Sequence, residues 1–261
     1  MHHPLSSINP LAKIARNVVI EPFVCIEKNV EIGSGTWIGS NVTIMEGARI
    51  GKNCEIFPGA VISAIPQDLK FDGEASLAII GDNTIIRECA TVNRATSATG
   101  KTVVGDNCLI MAYAHIAHDC YVGNHSIIVN NVALGGHVTI GEHAIIGGLT
   151  AVHQFVNIGD HTMISGGSLV RKDVPPFIKA GREPLSFIGI NSIGLRRRNF
   201  SEDEIQEIQE IYRFLYQKNF NNSQAINKIE IEFKASINRD KIIDFVQKSV
   251  RGIMRGYNQN K

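Results

Sequence analysis

The chain has 261 residues, 44% hydrophobic and 20% charged, with 24 glycines, 8 prolines and 26 basic against 25 acidic side chains. That balance excludes a disordered or collagen-like polypeptide, and no apolar run reaches the ~18 residues of a membrane span. Divided after Phe177, the charge becomes informative: residues 1–177 hold 11 basic and 15 acidic side chains, whereas residues 178–261 hold 15 and 10. The second segment therefore favours an acidic partner, and without a nucleic-acid motif that partner is not expected to be nucleic acid.

From the N-terminus, Met1-His2-His3-Pro4-Leu5 shows no basic segment leading into an apolar one, so a cytoplasmic location without membrane insertion is expected. A repeat follows. Every sixth residue from Ile8 to Val170 is Ile, Val or Leu at 25 of 28 positions, the exceptions being Asp68, Glu74 and Ala98. Four residues after each aliphatic comes a small or β-branched residue, as at Val18, Val24, Thr36, Ala48, Cys54, Cys108, Cys120 and Ser126. Glycine follows the aliphatic directly at 33, 39, 51, 81, 105, 123, 135, 141, 147 and 159. A period of six with two inward positions suits neither a helix nor a simple alternating strand. It predicts a solenoid of short parallel strands over 1–177, with Gly and Asn at bends that require φ > 0. The breaks in phase predict loops at 66–79 and 93–103, because Pro66, Asp68, Lys70, Asp72 and Glu74 cannot all face a dry core.

After Asp173-Val174-Pro175-Pro176-Phe177 the period ends, and 178–261 reads as a small α-helical domain. Ser201 and Glu204 form a capping box ahead of Ile205, Ile208, Tyr212 and Leu215. Ser223 is the expected start of a second helix through Ile226 and Ile229. Asn238 precedes a third, with Ile242, Phe245, Val246, Val250 and Ile253 as its apolar face. The five cysteines, at 25, 54, 89, 108 and 120, form no CxxC pair and are read as reduced thiols.

Four histidines fall close to a common phase: His115 and His118 in Ala114–Cys120, His137 after Gly135-Gly136, and His153 before Gln154. On successive coils they would share one side at ~4.8 Å per coil. Asp119 follows His118, and an imidazole supported by a carboxylate suits proton abstraction near neutral pH. Spacing alone leaves a structural role for His118 equally open. His2, His3, His125, His143 and His161 are read as surface or turn residues. A zinc site shared between subunits, as in the γ-class carbonic anhydrases, fits poorly because His115 and His118 are too close in sequence and the Arg-Asp pair of that class is missing, so no metal is expected.

The hexads resemble those of hexapeptide-repeat proteins, which implies a left-handed parallel β-helix with three hexads per coil. Gln67-Asp68-Leu69-Lys70-Phe71, His115–Cys120, Thr150–Phe155, Asp173–Pro176 and Gly194-Leu195-Arg196-Arg197-Arg198 together resemble the acyl-[acyl-carrier-protein]–UDP-N-acetylglucosamine O-acyltransferases, along essentially the whole chain. Ile193 stands where those proteins often carry Glu, and Tyr113 where a polar residue is common. The resemblance implies transfer of a (3R)-3-hydroxyacyl group from acyl carrier protein to the 3-hydroxyl of UDP-N-acetylglucosamine, the first step of lipid A biosynthesis. It implies His118 as general base, Asp119 as its support and the Gly136 N–H as oxyanion donor. Gln67, Asp68, Lys70, His115, His137, His153 and Gln154 match positions that hold the sugar nucleotide or the acyl donor. Asn191, Arg197 and Arg198 match positions near the nucleotide or the carrier's phosphopantetheine, and Gly166 the site where the acyl chain stops. No cofactor is implied beyond the carrier's own arm. A convex prism offers little cleft by itself, so a homotrimer is expected, with the His wall and the Lys70 loop from different subunits. An N-acyltransferase, a CoA-dependent sugar acetyltransferase and a non-catalytic rod are the alternatives.

Overall fold

Most hexads form a two-residue strand that ends on its aliphatic residue and then turns a corner, so three hexads complete one coil. The computed structural model describes residues 2–216, 218 and 220–256; Met1, Gln217, Asn219 and the end of the predicted helical segment, 257–261, lie outside them. Among the described residues the strands stack into three walls. The first wall runs from Ser7–Ile8 through His115–Ile116, Ala133–Leu134 and Ala151–Val152 to Leu169–Val170. The second runs from Lys13–Ile14 to Asn157–Ile158, and the third from Val19–Ile20 to Met163–Ile164 and on into Ile178–Gly181. The pairings between coils are parallel and, apart from a shift after Ile62, in register, aliphatic on aliphatic, as Ile116 on Leu134 on Val152 on Val170. The whole is a left-handed parallel β-helix followed by helices.

The core is a column of these aliphatics, with Ile38, Ile56, Ile86, Ile110, Ile116 and Ile146 wholly buried. Cys54, Cys108 and Cys120 occupy the small inward position, and burial pushes the Cys108 thiol up to about 11 and that of Cys120 to about 12. All five cysteines are free thiols, with Cys25 and Cys89 exposed.

The corners differ from the expectation in one respect. Left-handed backbone occurs three residues after the aliphatic, at Asn29, Asn41, Asn53, Asn83, Asn107 and Asn131 with φ between 53° and 60°. Asp119, His125, His137, His143 and His161 hold the same conformation. Asn and Asp tolerate it best, because a short polar side chain can bond its own backbone. The glycines directly after the aliphatics do not have positive φ. They are small because the next coil lies against them: a Cβ on Gly147 would stand 2.4 Å from Gly166 N and 2.6 Å from Ile164 O.

Both phase breaks are shorter than the sequence suggests. Leu77–Ile80 and Lys101–Val104 are paired strands, leaving 65–76 and 94–100 as the loops. Ile80 lies over Ile50 and under Val104, so the insertions lengthen two coils by whole multiples of six and the phase survives them.

The third wall extends past residue 177. Ile178–Gly181 pairs with Met163–Ile164 and then, antiparallel, with Ser186–Ile190. Phe177 and Tyr212 plug this end of the rod; both are buried, and the Tyr212 hydroxyl donates to Pro176 O at 2.6 Å. Among the described residues four helices follow: α1 (Ser192–Arg197), α2 (Glu202–Tyr216), α3 (Asn222–Glu232) and α4 (Ile237–Lys248). The Ser201/Glu204 box caps α2, which buries Ile205, Ile208, Tyr212 and Leu215. The other starts fall earlier than expected. Asn221, not Ser223, caps α3 through a box with Gln224, and Ser236 caps α4, with Asn238 inside its first turn. Val250 lies beyond α4 and is exposed, while Ile253 bridges to Asp173.

Between the second and third walls His125, His143 and His161 stack face to face, with ring centroids 4.6 and 5.0 Å apart, and Phe177 continues the column 5.7 Å from His161. Sequence reasoning placed them correctly at turns but not in a stack. Burial pushes the His161 imidazole down to about 4, and His143 is lowered for the same reason.

Two consequences are measurable. Gly147→Ala should cost about 1–3 kcal/mol by overpacking two coils, seen as a lower Tm, whereas Asn131→Gly, at φ 59°, should leave Tm nearly unchanged. An unfolded His161 takes its proton near pH 6.5 but the folded one only near 4, so its contribution is complete above pH 6.5 and lost as the pH falls towards 4. His161→Phe should flatten the fall of Tm across that window; an unaltered slope would show that another group is responsible.

Candidate active site

The strand His115–Ile116 leads into the corner between the first and second walls, and His118 stands on that corner. The left-handed conformation of Asp119, with φ 61°, turns its carboxylate inward, where its side chain is fully buried. One oxygen, Oδ2, accepts from His118 Nδ1 at 2.7 Å, from Thr96 Oγ1 at 2.8 Å and from Thr96 N at 3.1 Å. The other, Oδ1, accepts from Thr99 N at 3.2 Å and from the Thr99 hydroxyl. Burial by itself would raise this carboxyl, but the bonds from Thr99, His118 and Thr96 outweigh it and hold Asp119 below the ordinary carboxylate range. An ionised Asp119 requires that His118 Nδ1 carry the proton, which leaves Nε2 as a lone pair. Among the described residues Nε2 has no hydrogen-bond partner.

One coil above, Gly136 lies against that ring. A Cβ there would meet His118 Cε1 at 2.5 Å and Nε2 at 2.6 Å, so any larger residue displaces the imidazole. Its neighbour Gly135 is small for a different reason, the backbone of Gln154 being 2.8 Å from where its Cβ would lie. His137 meets His118 edge to face at 5.3 Å and is itself stacked on Phe155 at 4.5 Å.

The 65–76 loop folds over this corner. Asn93 Nδ2 donates to Ile65 O at 2.6 Å, Arg94 lies over the Phe71 ring at 5.4 Å, and Ser97 N donates to Glu74 Oε1 at 3.0 Å. The result is a groove of about 700 Å³ in one chain, lined by Gln67, Asp68, Lys70, His118, His137 and Gln154. The expectation that the Lys70 loop and the His wall come from different subunits is thus corrected: the insertion leaves the rod at the corner it covers.

His115 sits in the wall beside this corner, its Nδ1 2.7 Å from Thr91 Oγ1, and burial together with the neighbouring His118 keeps it neutral to lower pH than usual. His153 is exposed, with Nδ1 3.0 Å from Gln154 O. The remaining predicted residues lie elsewhere. Asn191 caps α1 and donates from Nδ2 to His161 O at 2.8 Å, and Arg198 donates to Gly194 O at 3.0 Å and His143 O at 3.4 Å. With Arg197, Lys179, Met163 and the exposed Ile193 they line a second concavity of about 510 Å³ on the third wall. Gly166 occupies the corner between the third and first walls, one coil above Gly148. Tyr113 is an exposed left-handed corner residue.

The ligand atoms of His118, Asp119 and His137 lie within 4.8 Å of one another, close enough to consider a metal. Both Asp119 oxygens are, however, already engaged by five donors, and His137 Nε2 is 3.8 Å from Oδ2. The donor set suits proton transfer better than a cation. Sequence reasoning missed Thr96 and Thr99; their only signal was two hydroxyl residues, three apart, in the second phase break.

The chain is similar to known proteins along almost its whole length. Residues 173–254 match the profile described as UDP N-acetylglucosamine O-acyltransferase, domain 2, and residues 29–64 and 101–136 match the bacterial transferase hexapeptide repeat. An acyl-[acyl-carrier-protein]–UDP-N-acetylglucosamine O-acyltransferase from Thermodesulfovibrio yellowstonii is 42% identical over 97% of this chain and 98% of its own. The crystal structure of a UDP-N-acetylglucosamine acyltransferase from Bacteroides fragilis superposes with a TM-score of 0.96 at 50% identity, covering 98% of this chain and 100% of that one. The Arabidopsis UDP-N-acetylglucosamine acyltransferase superposes with a TM-score of 0.84 at 30% identity, over 99% and 100% of the two chains.

Proposed function

The chain belongs to the family of acyl-[acyl-carrier-protein]–UDP-N-acetylglucosamine O-acyltransferases, and from that premise we propose that it moves a (3R)-3-hydroxyacyl group from acyl carrier protein to the 3-hydroxyl of UDP-N-acetylglucosamine, opening lipid A biosynthesis. The observation that carries the mechanism is the His118–Asp119 pair, with an unpartnered Nε2 beside the Gly136 backbone and facing the groove.

An alcohol becomes a competent nucleophile as a base removes its proton. His118 Nε2 takes the proton of the 3-hydroxyl while that oxygen bonds to the thioester carbonyl carbon. Asp119 stabilises the imidazolium through Nδ1–H. The carbonyl oxygen becomes an oxyanion, to which the Gly136 N–H donates without reorganisation. As the intermediate collapses the C–S bond breaks, and the imidazolium returns its proton to the leaving thiolate. The chemistry uses no cofactor beyond the carrier's phosphopantetheine.

That Gln67, Asp68, Lys70, His137 and Gln154 line the groove with His118 supports the reading that they hold the sugar nucleotide or the acyl donor. His115 supports the wall beneath, and His153 is the exposed histidine of the same corner two coils on. Asn191, Arg197 and Arg198 offer the donors a diphosphate or phosphopantetheine needs, but on another face of the prism. A site that uses both sets needs a second rod, which supports the homotrimer.

Mass spectrometry of UDP-N-acetylglucosamine incubated with long-chain 3-hydroxyacyl carrier protein tests the reaction directly, and acylation by acetyl-CoA instead would refute it. His118→Ala should lower kcat by ~10²–10⁴-fold while sugar-nucleotide binding and Tm stay near wild type. Gly166, where a Cβ would stand 3.0 Å from Gly148 O and within 4 Å of two further backbone atoms, is proposed as the end of the acyl groove. Gly166→Met should shift the preferred donor to shorter chains, at ~0.8 kcal/mol for each methylene excluded; identical length profiles in a competition assay would refute that role.

A further inference from the structure

The three departures from the six-residue rule, Asp68, Glu74 and Ala98, all line the groove beside His118. Asp68 and Glu74 belong to the covering loop, and Ala98 to the turn that surrounds Asp119. The repeat would bury an aliphatic at position 74, but the chain places a carboxylate there, partly buried where the two loops meet.

Four successive backbone N–H groups of the 94–100 turn are divided among acceptors on its two sides. Thr96 N and Thr99 N donate inward to Asp119, Ala98 N donates to Thr96 Oγ1 at 3.2 Å, and Ser97 N donates outward to Glu74 Oε1 at 3.0 Å. The other oxygen, Oε2, accepts from Asp72 N at 2.9 Å, so the carboxylate reaches from the turn into its own loop. The backbone N–H groups of Glu74 itself, Ser97 and Asp72, with Arg94 nearby, hold this carboxyl below the ordinary range, and it is anionic at neutral pH.

Among the described residues, the bond from Ser97 N to Glu74 is the only hydrogen bond that joins residues 66–75 to the rest of the chain. The ends of the loop are pinned separately, by Asn93 to Ile65 O and by the Ser76 hydroxyl to Ala95 O. Within it lies Lys70, exposed and the only lysine or arginine among the described residues that line the groove. A loop fixed at its ends alone leaves its middle free, and an anionic ligand must then order the loop as it binds. We propose that Glu74 is a positioning residue for the sugar nucleotide: by latching the 65–76 loop to the turn around Asp119, it fixes Lys70, the cation for the diphosphate, relative to His118, the base for the hydroxyl. This role rests on the acyl-transfer reading above and adds the residue that pre-orders the acceptor's site.

A hydrogen bond to a charged group is worth a factor of about ten or more, so Glu74→Ala should raise KM for UDP-N-acetylglucosamine about tenfold. The donor KM and Tm should stay near wild type, with kcat within about threefold, a split that a purely structural loop residue would not give. Glu74→Gln keeps one acceptor for Ser97 N and should recover the acceptor KM to within about threefold of wild type. In a Lys70→Ala background Glu74→Ala should change that KM by less than about twofold, because the latch acts through Lys70. Additive effects of the two substitutions overturn the proposal, as does an unchanged acceptor KM in the folded Glu74→Ala protein. Calorimetry of UDP-N-acetylglucosamine with the enzyme alone reads the same step without turnover. A Kd weakened about tenfold by Glu74→Ala supports the latch even if acyl transfer is refuted, and an equal Kd overturns it. A sugar nucleotide that binds neither protein overturns the functional reading and the latch together.

Discussion

Coil lies on coil at the spacing of hydrogen-bonded strands, and almost every other feature of the rod answers to that constraint. Side chains that point into the prism must be one large aliphatic and one small residue per hexad, because the interior is only as wide as a triangle of two-residue strands. Where backbone meets backbone outside the strands, as at Gly33 on Gly51 or Gly147 on Gly166, there is no room for a Cβ. The turn itself is made by a left-handed residue two positions later, and the side chain there is free to project. Histidines and an aspartate at those positions are therefore carried on a rigid lattice rather than on mobile loops.

The site exploits the places where this lattice is interrupted. A buried carboxylate is costly unless fully hydrogen-bonded, and a regular coil has no spare donors at a corner. The 94–100 loop supplies them, with Thr96 and Thr99 closing around Asp119, and the 65–76 loop is tied to it through Ser97 and Glu74. The same two insertions thus keep Asp119 ionised, fix the tautomer of His118 and form the outer wall of the groove. They lengthen their coils by multiples of the repeat, so the coils above and below stay in register.

A single rod brings together His118, Asp119, the Gly136 backbone and the Lys70 loop, but leaves Asn191, Arg197 and Arg198 on the third wall and Gly166 on a further corner. A convex prism cannot fold one face onto another. Packing rods side by side is the simplest way for such a molecule to combine its faces, and the helical end contributes the cations that the acidic rod lacks.

How much of this is legible in the sequence follows from what is periodic. The six-residue phase, the inward Ile116 or Ile146, the reduced cysteines, the two interruptions and the capping box at Ser201 are local or repetitive, and the linear sequence by itself determined them. The proximity of His118 to Asp119 was readable as well, since the two are neighbours. The reason for the glycines directly after the aliphatics was misread, because a clash with the next coil is indistinguishable in one dimension from the need for positive φ that Gly35, Gly47, Gly59 and Gly167 do meet. The starts of α3 and α4 were displaced, since Asn221, Ser223, Ser236 and Asn238 are all competent caps and only packing selects among them. The bonds of Thr96 and Thr99 to Asp119, the stacking of His125 on His143 on His161, the Lys70 loop folding over its own chain and the bond of Ser97 to Glu74 were decided by tertiary structure alone. Each depends on residues a coil or more apart being brought within a few ångströms, and that distance exists only once the rod has wound.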